Sequence, residues 1–157
     1  MRTILLVTPF LLFTCGAHAD ECSLSLLHGD YSFTVHGHAL SADGSTSTTL
    51  IDGVGLITFN GDGTATQEDF VVRNGVEVTG GPPNPSGFHT GETVTYTVNS
   101  DCTGALTITL TPGNTRSDAF VITQRGKAIH AVVSEATTSG EPILLQAYAD
   151  FESLNAR

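Results

Sequence analysis

Two histidines two residues apart, His36 and His38, have a spacing that suggests chemistry. On a β-strand, residues i and i+2 share a face, so both imidazoles can meet one metal ion or one anion. A metal site needs a further ligand, which His130, Glu68 or Asp69 would supply. The plainer reading is a pair of solvent-facing histidines among threonines on an outer wall. Acid–base chemistry would draw on Asp52, Glu68, Asp69 or Glu92. A carboxyl group enclosed by apolar walls keeps its proton towards neutrality and can then donate it. Glu68 and Asp69 are adjacent, so a regular strand turns at most one of them inward. The catalytic set expected for an enzyme is Asp52, Glu68 and Tyr96, the tyrosine hydroxyl orienting a substrate. No serine sits in a G-x-S-x-G elbow. The pair Gly53 and Gly55 opens no phosphate-binding or dinucleotide-binding turn, because no helix pattern follows it. Asp62, between Gly61 and Gly63, lacks the long oxygen-ligand loop of a helical calcium motif. No motif requires a cofactor.

The segments that must position these groups alternate with a period of two. The clearest stretch is Thr93 to Leu110. Val94, Tyr96 and Val98 alternate with small polar residues, and Leu106, Ile108 and Leu110 do so again after Asn99-Ser100-Asp101-Cys102-Thr103-Gly104. This predicts a β-hairpin with one buried face. Further strands are predicted at Tyr31–Ala39, Leu50–Asn60, Thr64–Arg73, Asp118–Thr123, Ala128–Glu135 and Ile143–Phe151. Glycines two apart in the second strand suggest a sharply curved wall. Thr79 to His89, rich in glycine and proline, is a long connection, and Thr111 to Ser117 reads as a turn. The last strand is apolar on one face through Ile143, Leu145, Ala147, Ala149 and Phe151, and Leu144 and Tyr148 make its other face partly apolar. Covering by the lead-in segment or by a second copy of the chain is expected there, so a homo-oligomer is an expected partner arrangement.

Eight sequential, mostly short-linked strands predict an all-β fold. The expected form is an antiparallel eight-stranded up-and-down barrel, which has no exposed edges; a two-sheet β-sandwich is the alternative. A barrel of this size either fills with side chains or leaves room for one small ligand. Tyr31, Phe33, Phe59, Tyr96 and Phe120 are the residues expected to line such a cavity.

The N-terminus bounds the compartment. Arg2, the apolar run Ile4 to Phe13 and Ala17-His18-Ala19 read as a secretory signal peptide, residues 1–19, with a single domain over 20–157. A lipid anchor on Cys15 is the rival reading. The apolar run is too short to span a membrane. A secreted or periplasmic location makes a Cys22–Cys102 disulfide permissible, tying the mature N-terminus to the central turn. The whole chain carries a formal charge of −10, with six basic and sixteen acidic residues. Such a balance repels nucleic acid and anionic lipid, so neither is an expected partner.

The strings GDYSFTVHG, GVGLITFNGDGTAT and TYTVNSDCTGALTITL occur in that order. Together they give the pattern G-x-Y-x-F-x-x-x-G, then G-x-G-x-x-x-F-x-G-x-G, then Y-x-V-N-x-D-C-x-G-x-L-T. Over roughly residues 28 to 151 the chain resembles a class of exported bacterial single-domain proteins with this pattern. These resemble the calycin-like barrel group and are similar in outline to allene oxide cyclase-like barrels. The resemblance implies a barrel that holds a small apolar molecule. It also implies, as an alternative, a cyclase or isomerase folding a flexible apolar substrate in its cavity. No catalytic residue of those enzymes is carried over to a position in this chain. A structural or protein-interaction domain with a filled core is the third expectation.

Overall fold

The computed structural model describes residues 21–40, 49–78, 82–111 and 113–155. The expected signal peptide, Cys15 and most of the expected polar loop Ser41 to Thr49 lie outside them. A 3₁₀ turn at Leu24–Leu26 precedes ten strands. They are β1 (His28–Ala39), β2 (Thr49–Asn60), β3 (Thr64–Arg73), β4 (Val76–Glu77), β5 (His89–Val98), β6 (Thr103–Thr111), β7 (Asn114–Thr123), β8 (Ala128–Thr138), β9 (Glu141–Pro142) and β10 (Leu145–Ser153). Each long strand pairs antiparallel with the next in sequence, and β10 pairs with both β1 and β8. The eight long strands thus close into an up-and-down, calycin-like barrel, and β4 and β9 are short extensions. The sandwich alternative is excluded, because the ladder runs unbroken around the wall.

The period-two stripes meet inside. At one end Tyr31, Phe59 and Tyr96 stack edge to face, with ring centroids 5.2 and 5.1 Å apart. Such pairs add specific attraction to a large buried apolar area. Phe33 and Phe151 pack beside them at 5.3 Å. The lead-in caps this end: Leu27 is fully buried, and the Tyr96 hydroxyl donates to the carbonyl oxygens of Leu27 (3.2 Å) and Leu24 (3.4 Å). The Tyr31 hydroxyl donates to the carbonyl of Gly126. Cys22 and Cys102 form the expected disulfide, joining the cap to the β5–β6 turn across 80 residues. The lead-in is therefore spent on the barrel end, and Leu144 and Tyr148 stay exposed on the outer wall.

Two hairpin turns share one construction. In Asn60-Gly61-Asp62-Gly63-Thr64, Asp62 Oδ1 accepts from the Thr64 amide (2.9 Å) and hydroxyl (2.7 Å). In Asn99-Ser100-Asp101-Cys102-Thr103, Asp101 Oδ1 accepts from the Thr103 amide (3.0 Å) and hydroxyl (2.7 Å). These hydrogen bonds hold both aspartate carboxyls below their ordinary range. Cys102 takes the left-handed backbone (φ 67°) that Gly63 takes in the first turn (φ 96°). Gly53 and Gly55 project into the barrel. A Cβ at Gly53 would lie 2.8 Å from side-chain carbons of both Val35 and Val71, and one at Gly55 would collide with the Phe33 ring. These glycines make room for core side chains inside the wall.

One expectation about an element fails. Thr111 to Ser117 is not an extended turn: β7 begins at Asn114 and pairs with β6 from there. Gly113 lies at the tip, directly before the strand. Beyond it, threonine and serine hydroxyls ladder along the wall, Thr107 to Ser117 and Thr115 to Thr137, each at 3.0 Å. Arg116 is thereby drawn into a strand and into the barrel.

Candidate functional site

At the end opposite the cap, the inward stripes continue with polar residues in place of aromatic ones. On β3 the stripe runs Ala65, Gln67, Asp69, Val71. On β7 it runs Arg116, Asp118, Phe120, Ile122. On β5 it runs Glu92, Val94, Tyr96, and a bulge adds His89 to it. Between the β3 partners Gln67 and Asp69 stands one residue, but between Glu92 and His89 stand two. The extra residue is accommodated at Gly91, whose φ of 86° few other residues adopt. His89 and Glu92, three apart, are consequently both buried.

Asp69, Arg73, His89, Glu92 and Arg116 border a pocket of about 190 Å³ inside the barrel mouth, with Val35, Val71, Leu110, Leu145 and Ala147 among its apolar walls. Gln67 Nε2 donates to Glu92 Oε2 at 2.7 Å. Arg116 Nη2 donates to Asp118 Oδ2 at 3.0 Å. His89 Nε2 lies 3.3 Å from Glu77 Oε1 at the rim. Three buried polar atoms have no partner among the described residues: Gln67 Oε1, Arg116 Nε and Asp118 Oδ1. An unsatisfied buried polar atom costs about 1–3 kcal/mol, so the group is incomplete without water or a ligand.

Burial also shifts the acids. The Glu92 carboxyl is raised to about 7: loss of hydration is the largest cause, the nearby Asp69 charge adds to it, and Gln67 and Arg116 oppose the rise. Burial likewise raises Asp69, against Arg116 and His89, and raises Asp118, against Arg116. Glu92 is thus part protonated near neutrality and can donate or accept a hydrogen bond there.

Of the acid–base candidates expected from sequence, Asp69 and Glu92 lie at this pocket, while the expected cavity-lining aromatics, Asp52, Glu68 and the histidine pair fall elsewhere. Tyr31, Phe33, Phe59, Tyr96 and Phe120 form the packed core, and none of them lines the inner pocket. Burial raises both tyrosine hydroxyls, which serve the cap. Of the trio Asp52, Glu68 and Tyr96, two face outward. Asp52 Oδ1 meets His36 Nδ1 at 2.8 Å on the exposed wall, and Glu68 accepts from Asn84 Nδ2 at 3.2 Å. The three do not come together. Glu68 and Asp69 do point opposite ways, and Asp69 is the one inside. His36 and His38 lie on the outer wall, His36 beside Tyr148 with ring centroids 5.7 Å apart. His130 pairs with Asp150 at 2.7 Å on the same wall. Among the described residues no three histidine, cysteine or acidic side chains form a metal-holding group.

A second hollow, about 670 Å³, lies on the outside, where the turn of residues 82–88 overhangs β2 and β3. Asn84 builds that turn by accepting from the Ser86 and Phe88 amides at 2.8 and 3.1 Å, and Phe88 packs against Phe70. It is an open groove, and the three unpartnered buried atoms belong to the inner cluster instead.

A closed calycin-like barrel, capped and packed at one end and hollow at the other, defines the class of this protein. No family model matches the chain. A search of curated proteins likewise finds no match. Among solved structures it is similar to the S-type phycobiliprotein lyase CPES from Guillardia theta. The TM-score is 0.51 at 8% identity, covering 85% of this chain and 92% of that one. At such identity the likeness is one of fold.

Proposed function

We propose that this protein is a small-molecule-binding barrel whose site is the inner pocket among Asp69, His89, Glu92 and Arg116. The observation that carries the reading is the pocket itself: a hollow inside the barrel mouth lined by the buried polar side chains of Asp69, His89, Glu92 and Arg116. A packed structural domain would bury apolar atoms there instead. The volume of about 190 Å³ corresponds to roughly six water molecules at ~30 Å³ each, so the enclosed part of the ligand is small. Its apolar remainder lies along Val71, Leu110 and Leu145 towards the mouth. The proposal keeps the apolar ligand implied by the resemblance to exported calycin-like barrels, and adds a polar end. The similar solved structure is a phycobiliprotein lyase, so a barrel of this shape is compatible with a functional protein. The Cys22–Cys102 disulfide supports a secreted or periplasmic setting. Among the described residues no helix is long and apolar enough to cross a membrane.

The experiment is a thermal-shift screen of small amphiphiles against the protein and its Ala136→Leu variant, in which the larger side chain fills the pocket. A ligand at a hundred times its Kd stabilises by about 2.7 kcal/mol, a shift of several degrees. Ligands that shift the wild type and not the variant are expected. Equal shifts in both would place binding outside the barrel and end this reading.

An isomerase or cyclase reading is kept alive by one observation: a carboxyl at about 7 inside a pocket has the range of a general acid–base. In that case Glu92, and not Asp52, Glu68 or Tyr96, is the group to remove, and turnover would fall with Glu92→Gln.

A further inference from the structure

The inner cluster is short of hydrogen-bond donors. Three buried carboxyl groups, Asp69, Glu92 and Asp118, share one buried guanidinium, Arg116, whose bond goes to Asp118. His89 is turned to Glu77 at the rim, and Arg73, the second guanidinium on the lining, is exposed. The Gln67 amide nitrogen is fixed on Glu92, which leaves its carbonyl oxygen as an unpaired acceptor. Gln67 and Asp118 do not line the cavity and reach it through their bonds to Glu92 and Arg116, so the acceptors a ligand head meets are the carboxyl groups of Asp69 and Glu92. Asp69 and Glu92 both border the cavity. A molecule entering with an anionic head would meet a net negative field. One entering with N–H donors and a positive charge would satisfy acceptors and neutralise that field together.

We propose, building on the reading of the pocket as a ligand site, that it takes a small amphiphile by a primary ammonium head held against Asp69 and Glu92, with the alkyl part running past Val71 and Leu145 to the mouth.

Binding is coupled to a proton. The titratable and charged groups facing the head are Asp69 and Arg73 from β3, Glu77 from β4, His89 and Glu92 from β5, and Arg116 and Asp118 from β7. The walls contributed by β1, β2, β6, β8 and β10 carry none. An ammonium beside Glu92 favours its ionised form, so near neutral pH the complex releases part of a proton.

Hexylamine, hexanol and hexanoate share a chain of pocket size and differ in the head. Isothermal titration of each into the protein, in two buffers of unlike ionisation enthalpy, reads affinity and proton release together. Hexylamine should bind roughly tenfold or more tighter than either of the others, with proton release near neutrality. Glu92→Gln and Asp69→Asn should each remove most of that preference and leave hexanol within about twofold. Ala136→Leu should abolish binding of all three. Equal affinity for amine and alcohol, or tighter binding of hexanoate, overturns the ammonium head while the ligand pocket stands. No binding of any probe at millimolar concentration overturns both. Circular dichroism of each variant distinguishes a lost contact from a lost fold.

Discussion

Replacing Glu92 by glutamine should make the protein more stable above neutral pH and leave it unchanged in acid. In the unfolded chain the carboxyl ionises near its ordinary 4.5, and in the barrel near about 7. Between those values the folded state holds a proton that the unfolded chain has lost. Stability therefore falls as pH rises through this window, and the loss is complete above about 7. Each unit of displacement corresponds to about 1.4 kcal/mol, so the full span is about 3 kcal/mol. Water in the open pocket shares some of the charge, so about 2–3 kcal/mol is the working range. Glutamine keeps the shape, and its carbonyl still accepts from Gln67 Nε2, so nothing offsets the removal of the charge. The assay is urea unfolding of both proteins from about pH 4.5 to about pH 8, with slopes compared to confirm that the unfolded states match. The gap should open across the window and plateau above it. Asp69 and Glu92 titrate as a pair, so the midpoint belongs to both. A gap that does not vary with pH, or a variant less stable at the alkaline end, would refute the account of Glu92 as a desolvated acid.

Three other substitutions probe the supports of the site. Reducing the Cys22–Cys102 bond, or replacing both cysteines by serine, reopens an 80-residue span and should cost about 4.5 kcal/mol on the chain-entropy estimate, read as a lower urea midpoint. Gly55→Ala should destabilise by about 1–3 kcal/mol, because the added methyl runs into the Phe33 ring and comes within 2.5 Å of the Glu68 carbonyl oxygen. Arg116→Met should cost about 3–5 kcal/mol by leaving Asp118 buried without its partner, and adding Asp118→Asn should recover much of it in the same unfolding assay.

Why the barrel was readable from sequence and its site only partly so follows from particular residues. Every strand stripe that alternates cleanly, such as Val94-Tyr96 or Phe120-Ile122, lies inside as its period predicts. The inner polar residues are in phase with those stripes: Glu92 precedes Val94 by two, and Arg116 and Asp118 precede Phe120 by four and two. Glu92 stands out by residue type, and extending the stripe past Phe120 would have found Arg116 and Asp118 as well. Two local features hid the rest. The proline-glycine tip disguised the start of β7 and removed Arg116 from view. The bulge at Gly91 put His89 in phase with Glu92, which no strict period of two allows. His36, Asp52 and His130 drew attention by residue type, yet each lies on the exposed wall, His36 paired with Asp52 and His130 with Asp150.

The two ends of the barrel are energetically opposite. The capped end gains from edge-to-face aromatic packing, tyrosine hydroxyls bonded to backbone carbonyls, and the loop closed by the disulfide. The open end carries three raised carboxyls and three polar atoms without partners among the described residues, at about 1–3 kcal/mol for each such atom. The stability of the first end allows the second to stay underfilled, since both belong to one continuous ladder and a small single domain ordinarily unfolds as one unit. A ligand that supplies the missing donors recovers part of that cost only in the folded state, so affinity and stabilisation should rise together across a series of heads. Stabilisation by amines that vanished in Glu92→Gln while the variant stayed folded would tie that gain to the inner cluster and exclude a general effect of amphiphiles on the exposed wall.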